Sequence, residues 1–417
     1  MRKLRLLAAV AGALACQAQA APDSVVEMYG TAMPFLDDAK TTGATQAVPA
    51  DRPTMIGSSA YTGVNDAPRT RISAGTSNIG WRGYEQLNSD TRLVWQLESA
   101  FQVDQNTGPG HANRNSKVGI ASNTWGELNM GMWDTPYKFI NLAINPLRAG
   151  YVFDYTPIMG NPGMGVPATT TQSTRIGSKP DAAFDKRAGN MVQWWSPKWN
   201  GFSLRVGYSV AEGTGIVATG GPNARPDIWS ANVIWDIGGL SLRYAWEQHR
   251  DYFGLSQLGG GAAGTSTNTG SKDTGNKVTA IWKFGNTRIA GSYEMLKYHN
   301  DDTVAGHVGE YKRNAYYVLL EQSWGPHVIW GSFSQAADGD CTVVGGASCV
   351  TSNLGANYFA GGYIYHFSKR TDGYITYYEL NNKESGQYSV QPTVGTAAAI
   401  APGADIKAFG VGLLHIF

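Results

Sequence analysis

Apolar and polar residues alternate along most of the chain, and the segment 92–101 is typical. Leu93, Trp95 and Leu97 share one parity of an extended backbone, while Gln96 and Glu98 fall on the other. Alternation with a period of two places the two sets on opposite faces of a β-strand. The C-terminal segment AFGVGLLHIF, residues 408–417, alternates large apolar with small residues in the same way. The pattern predicts β-strands that each have one strongly apolar face.

Short and long connections follow one another in regular order between these strands. The short connections are built from Gly, Asn, Asp and Pro, as tight reversals require, and lie at 86–92, 122–127, 196–202, 236–240, 284–288, 324–327 and 368–372. The long polar connections cover 34–68, 104–114, 135–187, 212–225, 252–273, 301–310, 337–354 and 383–403. Seven short and eight long connections join sixteen strands, with both chain ends on the side of the short turns.

The first twenty residues have the order of a secretory signal peptide. Arg2, Lys3 and Arg5 precede an apolar run from Leu6 to Ala15, and Ala18-Gln19-Ala20 forms an A-x-A cleavage site. The apolar run is shorter than the roughly 20 residues that a membrane-spanning helix needs. We expect residues 1–20 to be removed before Ala21; a lipoprotein site at Cys16 is an alternative with a poorer motif.

Composition favours one large sheet over several soluble domains. Gly accounts for 52 of 417 residues, aromatics for 11%, and no later segment is a continuous apolar helix. Without residues 1–20 the chain has 30 basic and 32 acidic residues, which argues against a nucleic acid partner. We therefore expect residues 21–417 to form one all-β domain, a transmembrane antiparallel β-barrel of 16 strands whose last strand pairs with its first, because lipid does not tolerate an unpaired edge.

Two cysteines remain after processing, Cys341 and Cys349, eight positions apart. An exported chain meets an oxidising compartment, so a disulfide between them is the favoured interpretation. Two free thiols are the alternative. A metal site is less favoured because no His accompanies the pair.

Six motifs in order resemble the general porins of proteobacterial outer membranes, particularly the β-proteobacterial branch. They are SVVEMYG (24–30), SNIGWRGYEQLNSDTRLVWQLES (77–99), GIASNTWGELNMGMWDTP (119–136), GNMVQWWSPKWNGFSLRVGYS (189–209), SKRTDGYITYY (368–378) and GVGLLHIF (410–417). The resemblance implies a homotrimer in the Gram-negative outer membrane, in contact with lipid and lipopolysaccharide. It also implies a water-filled channel for passive diffusion of small hydrophilic solutes and ions, and a terminal aromatic, Phe417, read by the barrel-assembly machinery.

The resemblance further implies that the third long connection, residues 135–187, folds into the pore and constricts it. Its carboxylates would be Asp154, Asp181 and Asp185, facing a ladder of wall bases across the pore. Motif alignment assigns Arg82, Arg92, Lys117 and Arg187 to that ladder. Each wall base has the alternative of being merely solvated in the lumen, and each loop carboxylate that of facing outer water.

Two positions depart from the family pattern. Asn78 replaces a wall arginine in Ser77-Asn78-Ile79-Gly80, and Met132 replaces another after Gly131. The constriction is therefore expected to be less cationic than the pattern implies, with weak ion selectivity. A less polar wall there would suit an amphipathic or aromatic solute.

Two other function classes stay open at this point. An outer-membrane barrel hydrolase would need a Ser or Asp with a placed His, and no such spacing exists here. A closed structural or adhesin barrel would share the strand pattern but not the open pore. The histidines have no metal-ligand spacing. We therefore expect a channel rather than an enzyme, without cofactor or metal.

Overall fold

The computed structural model describes residues 24–50, 56–57, 60–102, 111–147, 153–165, 170–171, 182–210, 215–216, 223–224, 226–252, 255, 258, 270–301, 303–346, 349–390 and 400–417. The signal peptide assigned to residues 1–20 lies outside this range. Among the described residues, no helix has both the length and the apolar character needed to cross a membrane.

The described residues form sixteen antiparallel barrel strands, as the connections predict. They are β1 (Ser24–Ala32 and Phe35–Thr42), β2 (Arg69–Ser73 and Asn78–Gln86), β3 (Thr91–Ala100), β4 (Ser116–Ser122), β5 (Gly126–Asp134), β6 (Lys186–Trp195), β7 (Phe202–Val210), β8 (Asp227–Ile237), β9 (Leu240–Arg250), β10 (Lys272–Phe284), β11 (Thr287–His299), β12 (Val308–Trp324), β13 (His327–Ala336 and Asp340–Val343), β14 (Ala356–His366), β15 (Thr371–Asn382) and β16 (Asp405–Ile416). Between β5 and β6 lie the helix α1 (Pro136–Phe139), a 3-10 turn (Leu142–Ile144) and a two-residue strand (Thr170–Thr171) that pairs in parallel with β6. Two further short strands, Gly215–Ile216 and Asn223–Ala224, pair in the connection before β8.

The barrel is closed by pairing between β1 and β16. Thr31 lies opposite Ile416, and the second half of β1 pairs with β16 along its length. The amide and carbonyl groups of Gly30 and Phe417 bond to each other, with both N–O distances 3.1 Å. Among the described residues, β16 pairs with β1 from Gly30 to Thr42, so the backbone groups along this seam are satisfied within the protein.

Two strand boundaries differ from the sequence-based prediction. The first long connection does not begin at residue 34, because β1 resumes at Phe35 beyond Pro34. Pro34 lacks an amide donor and interrupts the strand without ending it. The seventh long connection likewise does not begin at residue 337, because Asp340–Val343 extends β13 along β12.

Strand alternation separates an apolar exterior from a varied interior. In β16, Phe409, Val411 and Leu413 are 56%, 40% and 53% exposed, while Ala408 and Leu414 are buried. The exposed row is the one that the sequence places on the apolar face. Outward apolar and inward small or polar residues are typical of a barrel that contacts lipid.

The predicted disulfide is present. Cys341 in the last part of β13 is joined to Cys349 in the connection between β13 and β14, with a Cα–Cα distance of 5.6 Å. Both cysteines pack beside a buried apolar cluster that includes Val343 and Leu354. The bond therefore fastens a connection at the end of the barrel opposite the short turns.

Candidate functional site

The segment 135–187 begins with a helix that packs against β8. Thr135 caps α1, its Oγ1 accepting the amide of Lys138 at 3.3 Å. The amide of Tyr137 donates to Ser230 Oγ of β8 at 3.0 Å. Ser230 has the buried parity of β8, opposite to the exposed Trp229, so this part of the segment contacts the buried face of that strand.

Two arginines of the wall hold the chain that follows α1. Arg243 Nη1 donates to the carbonyl of Ile140 at 3.1 Å. Arg288 donates to the carbonyls of Ala143 and Asn145, each at 2.9 Å. Carbonyl groups at the end of a helix have no partner within it and carry partial negative charge, so guanidinium groups suit them. The start of the segment is thereby bound to β9 and β11.

Farther along the segment, Phe153 packs among aromatic rings from three strands of the barrel. Its ring centroid lies 6.0 Å from Phe35, 5.8 Å from Trp330 and 5.6 Å from Tyr374. These residues belong to β1, β13 and β15, and all are buried. The segment therefore contacts inward-facing residues on strands well beyond β8 and β11.

A buried polar cluster binds the segment to β10, β11 and β12. Glu294 accepts the hydroxyl of Tyr137 at 2.9 Å and the amide of Gly160 at 2.8 and 2.9 Å. Arg313 Nη1 lies 3.1 Å from the same carboxylate, and Lys277 Nζ 4.0 Å. Fully buried charges persist only when paired and hydrogen bonded. This cluster, centred on Glu294, joins two distant points of the segment to one wall side chain.

The predicted loop carboxylate Asp154 is buried and turned to its own backbone. Its Oδ1 accepts the amide and the hydroxyl of Thr156 at 2.8 and 2.6 Å. Burial raises the pKa of Asp154 to about 7 in spite of these hydrogen bonds. Asp181, the second predicted carboxylate, lies outside the described residues.

The third predicted carboxylate, Asp185, lies near the C-terminal end of the segment, directly before β6. Tyr155 donates to its Oδ1 at 2.9 Å, and Lys138 Nζ lies 3.6 Å from its Oδ2. Burial raises the pKa of Asp185, which the positive charge of Lys138 opposes. Lys138 also lies 3.4 Å from Asp134, as does the predicted wall base Arg187. A chain of alternating charge therefore ties the two ends of the segment together.

The other predicted wall bases have partners on the barrel wall. Arg82 Nε bonds Glu27 at 2.8 Å and its guanidinium lies over the Tyr29 ring at 4.9 Å. Lys117 pairs with Glu127. Among the described residues, neither Asp154 nor Asp185 forms an ion pair with Arg82, Arg92, Lys117 or Arg187.

The two departures from the family pattern fall on different faces of the sheet. Asn78 shares the inward parity of Arg82, and its side chain donates to the carbonyl of Thr76 at 3.0 Å. Met132 shares the parity of Leu128 and Met130, both exposed on the outer surface. Period-two alternation predicts an outward Met132, against its assignment to the pore wall by motif alignment, and the pairing of β5 with β6 shifts register beside it, between Gly131 and Trp133.

Cations and aromatic rings alternate between β4 and the end of α1. Lys117 Nζ lies 4.7 Å from the Trp133 ring and 3.8 Å from the Trp195 ring. The Arg205 guanidinium lies 4.2 Å from the same Trp195 ring and 3.4 Å from the Phe139 ring. Cations over aromatic faces are attracted by the ring quadrupole. The stack continues from the wall to the segment 135–187.

Beside this stack is a cavity of about 660 Å³. Its lining includes Arg92, Arg205 and Arg243 together with Phe139 and Leu142 of the segment. Sequence reasoning identified Arg92 but missed the other two arginines. Their signal was available, because each lies on the inward parity within a few residues of a short turn, at the same end of the barrel as Arg92.

The chain is similar to outer-membrane porins over most of its length. A sequence model described as Gram-negative porin matches residues 6–385. Outer membrane porin protein 32 of Delftia acidovorans is 24% identical over 351 residues, 82% of this chain and 85% of that protein. An outer membrane porin protein of Bordetella pertussis is 30% identical over 140 residues, 32% of this chain and 30% of that protein.

Solved porin structures share the fold. An anion-selective porin from Comamonas acidovorans superposes with a TM-score of 0.67 at 20% identity, covering 95% of this chain and 100% of that one. The trimer form of OmpT from Vibrio cholerae gives a TM-score of 0.58 at 15% identity, covering 94% and 99%. The family match over most of the sequence agrees with the closed sixteen-stranded barrel, and the chain belongs to the Gram-negative porin family of the outer membrane.

Proposed function

We propose that the chain is a channel through which small hydrophilic solutes and ions diffuse passively across the outer membrane, and that the segment 135–187 narrows its lumen. The family consists of channels rather than enzymes. The observation that carries the narrowing is the Glu294 cluster, in which an inward side chain of β11 bonds both Tyr137 and Gly160. A segment bound to this side chain occupies part of the cross-section of the lumen that would otherwise be filled with water.

Two charged side chains are exposed on β1 and β2, whereas three are buried on β10 to β12, and this difference supports a path for solutes beside β1 to β3. Arg82 and Glu27 have side chains 50% and 52% exposed, whereas Lys277, Glu294 and Arg313 on the opposite wall are fully buried. Inward charges that stay exposed face water. Because Arg82 is paired with Glu27, its field is largely cancelled, which favours weak ion selectivity on this wall.

Assembly is proposed on the same family grounds. Residues 1–20 direct export and are removed, and residues 21–417 form one barrel domain that assembles as a homotrimer in lipid and lipopolysaccharide. The similarity of fold to the trimer form of OmpT from Vibrio cholerae supports the trimer. Phe417, bonded through its backbone to Gly30 at the closing seam, is the proposed signal for the barrel-assembly machinery.

Conductance of the purified protein in planar bilayers tests the channel. We expect stepwise ohmic openings, and a reversal potential across a tenfold salt gradient that corresponds to a weak preference for anions. The variant Arg82→Gln leaves Glu27 unpaired and should shift selectivity toward cations, most at low salt, where the screening length is about 30 Å rather than 8 Å. A folded barrel without conductance would contradict the channel; an unchanged reversal potential would remove Arg82 from the solute path.

A further inference from the structure

The cavity beside α1 has an excess of positive charge. Its lining arginines are Arg92, Arg205 and Arg243, and its lining carboxylates are Glu127 and Asp236. Both carboxylates are already paired with lysines outside the lining, Glu127 with Lys117 and Asp236 with Lys198 at 2.7 Å.

Among the described residues, none of the three arginines forms an ion pair with a carboxylate. Within the part of the chain that the structure describes, Arg243 donates to the neutral oxygens of Ser241 at 3.0 Å and Ile140 at 3.1 Å. Arg92 lies 5.7 Å from the Tyr84 ring centroid. The cavity therefore retains about three uncompensated positive charges facing water, which raises the local concentration of anions.

The surroundings of Arg205 indicate which chemical class of anion the cavity would bind. Its guanidinium lies over Phe139 at 3.4 Å and Trp195 at 4.2 Å. Stacking uses the faces of the guanidinium and leaves its N–H donors, which lie in its plane, for another partner. The planar fork of a guanidinium matches a carboxylate, with two parallel hydrogen bonds.

The rest of the lining favours an apolar group attached to that carboxylate. Phe139, Leu142 and Ala143 present carbon to the cavity from the segment 135–187, and Trp195 does so from the wall. Leu142 is exposed. A volume of about 660 Å³ is in the range of pockets that enclose small organic ligands.

We infer that this cavity binds small aromatic carboxylates, the carboxylate on Arg205 and Arg243 and the ring against Phe139 and Leu142. This inference rests on the proposed function, because the cavity is reached through the lumen. Solutes of this class would accumulate in the pore ahead of neutral solutes of equal size.

Calorimetric titration of the detergent-solubilised barrel with benzoate, benzamide and acetate tests the site whether or not the protein conducts. We expect benzoate to bind at least tenfold more tightly than either of the others, since benzamide lacks the charge and acetate the ring. Equal affinity for benzoate and acetate would overturn the aromatic part of the proposal, and equal affinity for benzamide would overturn the carboxylate part.

Substitutions assign the site to its residues. Arg205→Gln and Arg243→Gln should each weaken benzoate binding at least tenfold, and Arg205→Lys, which keeps the charge but not the fork, by less. Lys297→Gln is the matched control, because Lys297 is an exposed base paired with Glu310 at the far end of β11. Unchanged benzoate affinity in folded Arg205→Gln or folded Arg243→Gln would overturn the site. Block of single-channel current by benzoate, lost in the same variants, places the site in the pore; absence of conductance would count against the proposed function alone.

Discussion

Removing the carboxylate of Glu294 should release the segment 135–187 without unfolding the barrel. The variant Glu294→Ala loses the acceptor of the Tyr137 hydroxyl and the Gly160 amide and leaves the buried charge of Arg313 without its carboxylate, although Arg313 still donates to the carbonyls of Ile158 and Asn161. Breaking a buried pair from one side costs about 3–5 kcal/mol. The pairing of β10 and β12 with β11 runs through backbone groups and stays intact, so the cost falls mainly on the segment.

At about 1.4 kcal/mol for each factor of ten, that cost raises the detached fraction of the segment between about a hundredfold and a few thousandfold. Hydrogen exchange of the Gly160 amide, measured by mass spectrometry in nanodiscs, should accelerate by that factor, and single-channel conductance should rise. Glu379→Ala is the matched control, since Glu379 bonds Tyr377 and Lys407 on the outer surface. If Gly160 exchanges at its original rate in folded Glu294→Ala, the Glu294 cluster does not hold the segment.

Three further predictions concern other parts of the chain. Thiol labelling of the denatured, unreduced protein should modify neither Cys341 nor Cys349, and replacing both with Ser should cost about 2–3 kcal/mol while the barrel still assembles. Deleting Phe417 should lower the amount of folded barrel in the membrane, measured by heat-modifiable mobility, and leave the conductance of surviving pores unchanged. Burial raises the pKa of Asp154 from 3.8 to about 7, so the folded segment binds this proton more tightly than the detached one. Its stability should therefore fall as pH rises from about 4 to about 7, a slope in the exchange of nearby amides that Asp154→Asn removes.

The fold was largely predictable because the exterior of a barrel meets one uniform solvent. Side chains that contact lipid must be apolar, and they occur at every second position of a strand. The sequence of a strand such as 405–416 therefore predicts both the strand and the face that points outward. The same rule, applied to Leu128, Met130 and Met132, predicts that Met132 points outward. The motif alignment compares residue types and takes no account of parity, so it assigns Met132 to the pore wall instead.

The contacts of the segment 135–187 were not predictable in the same way. They depend on which inward residues of distant strands come within reach, and no local pattern encodes that. Asp185 therefore pairs with Lys138 of its own segment rather than with the wall bases assigned to it. Arg205 and Arg243 carried a usable signal in their inward parity, yet only the structure relates them to Phe139 and the cavity.

The seam between β1 and β16 has a consequence for how the barrel forms. Thr31 and Ile416 become neighbours only when the first and sixteenth strands are both in place. Every earlier stage is a curved sheet with two open edges, whose unpaired amides and carbonyls invite pairing with other chains. Contacts between such distant residues also form slowly, because the entropy of closing the intervening chain is lost before the contacts are gained. Insertion of an incomplete sheet into lipid would leave those edges without hydrogen-bond partners, so the strands need protection from lipid and from other chains until β1 and β16 pair.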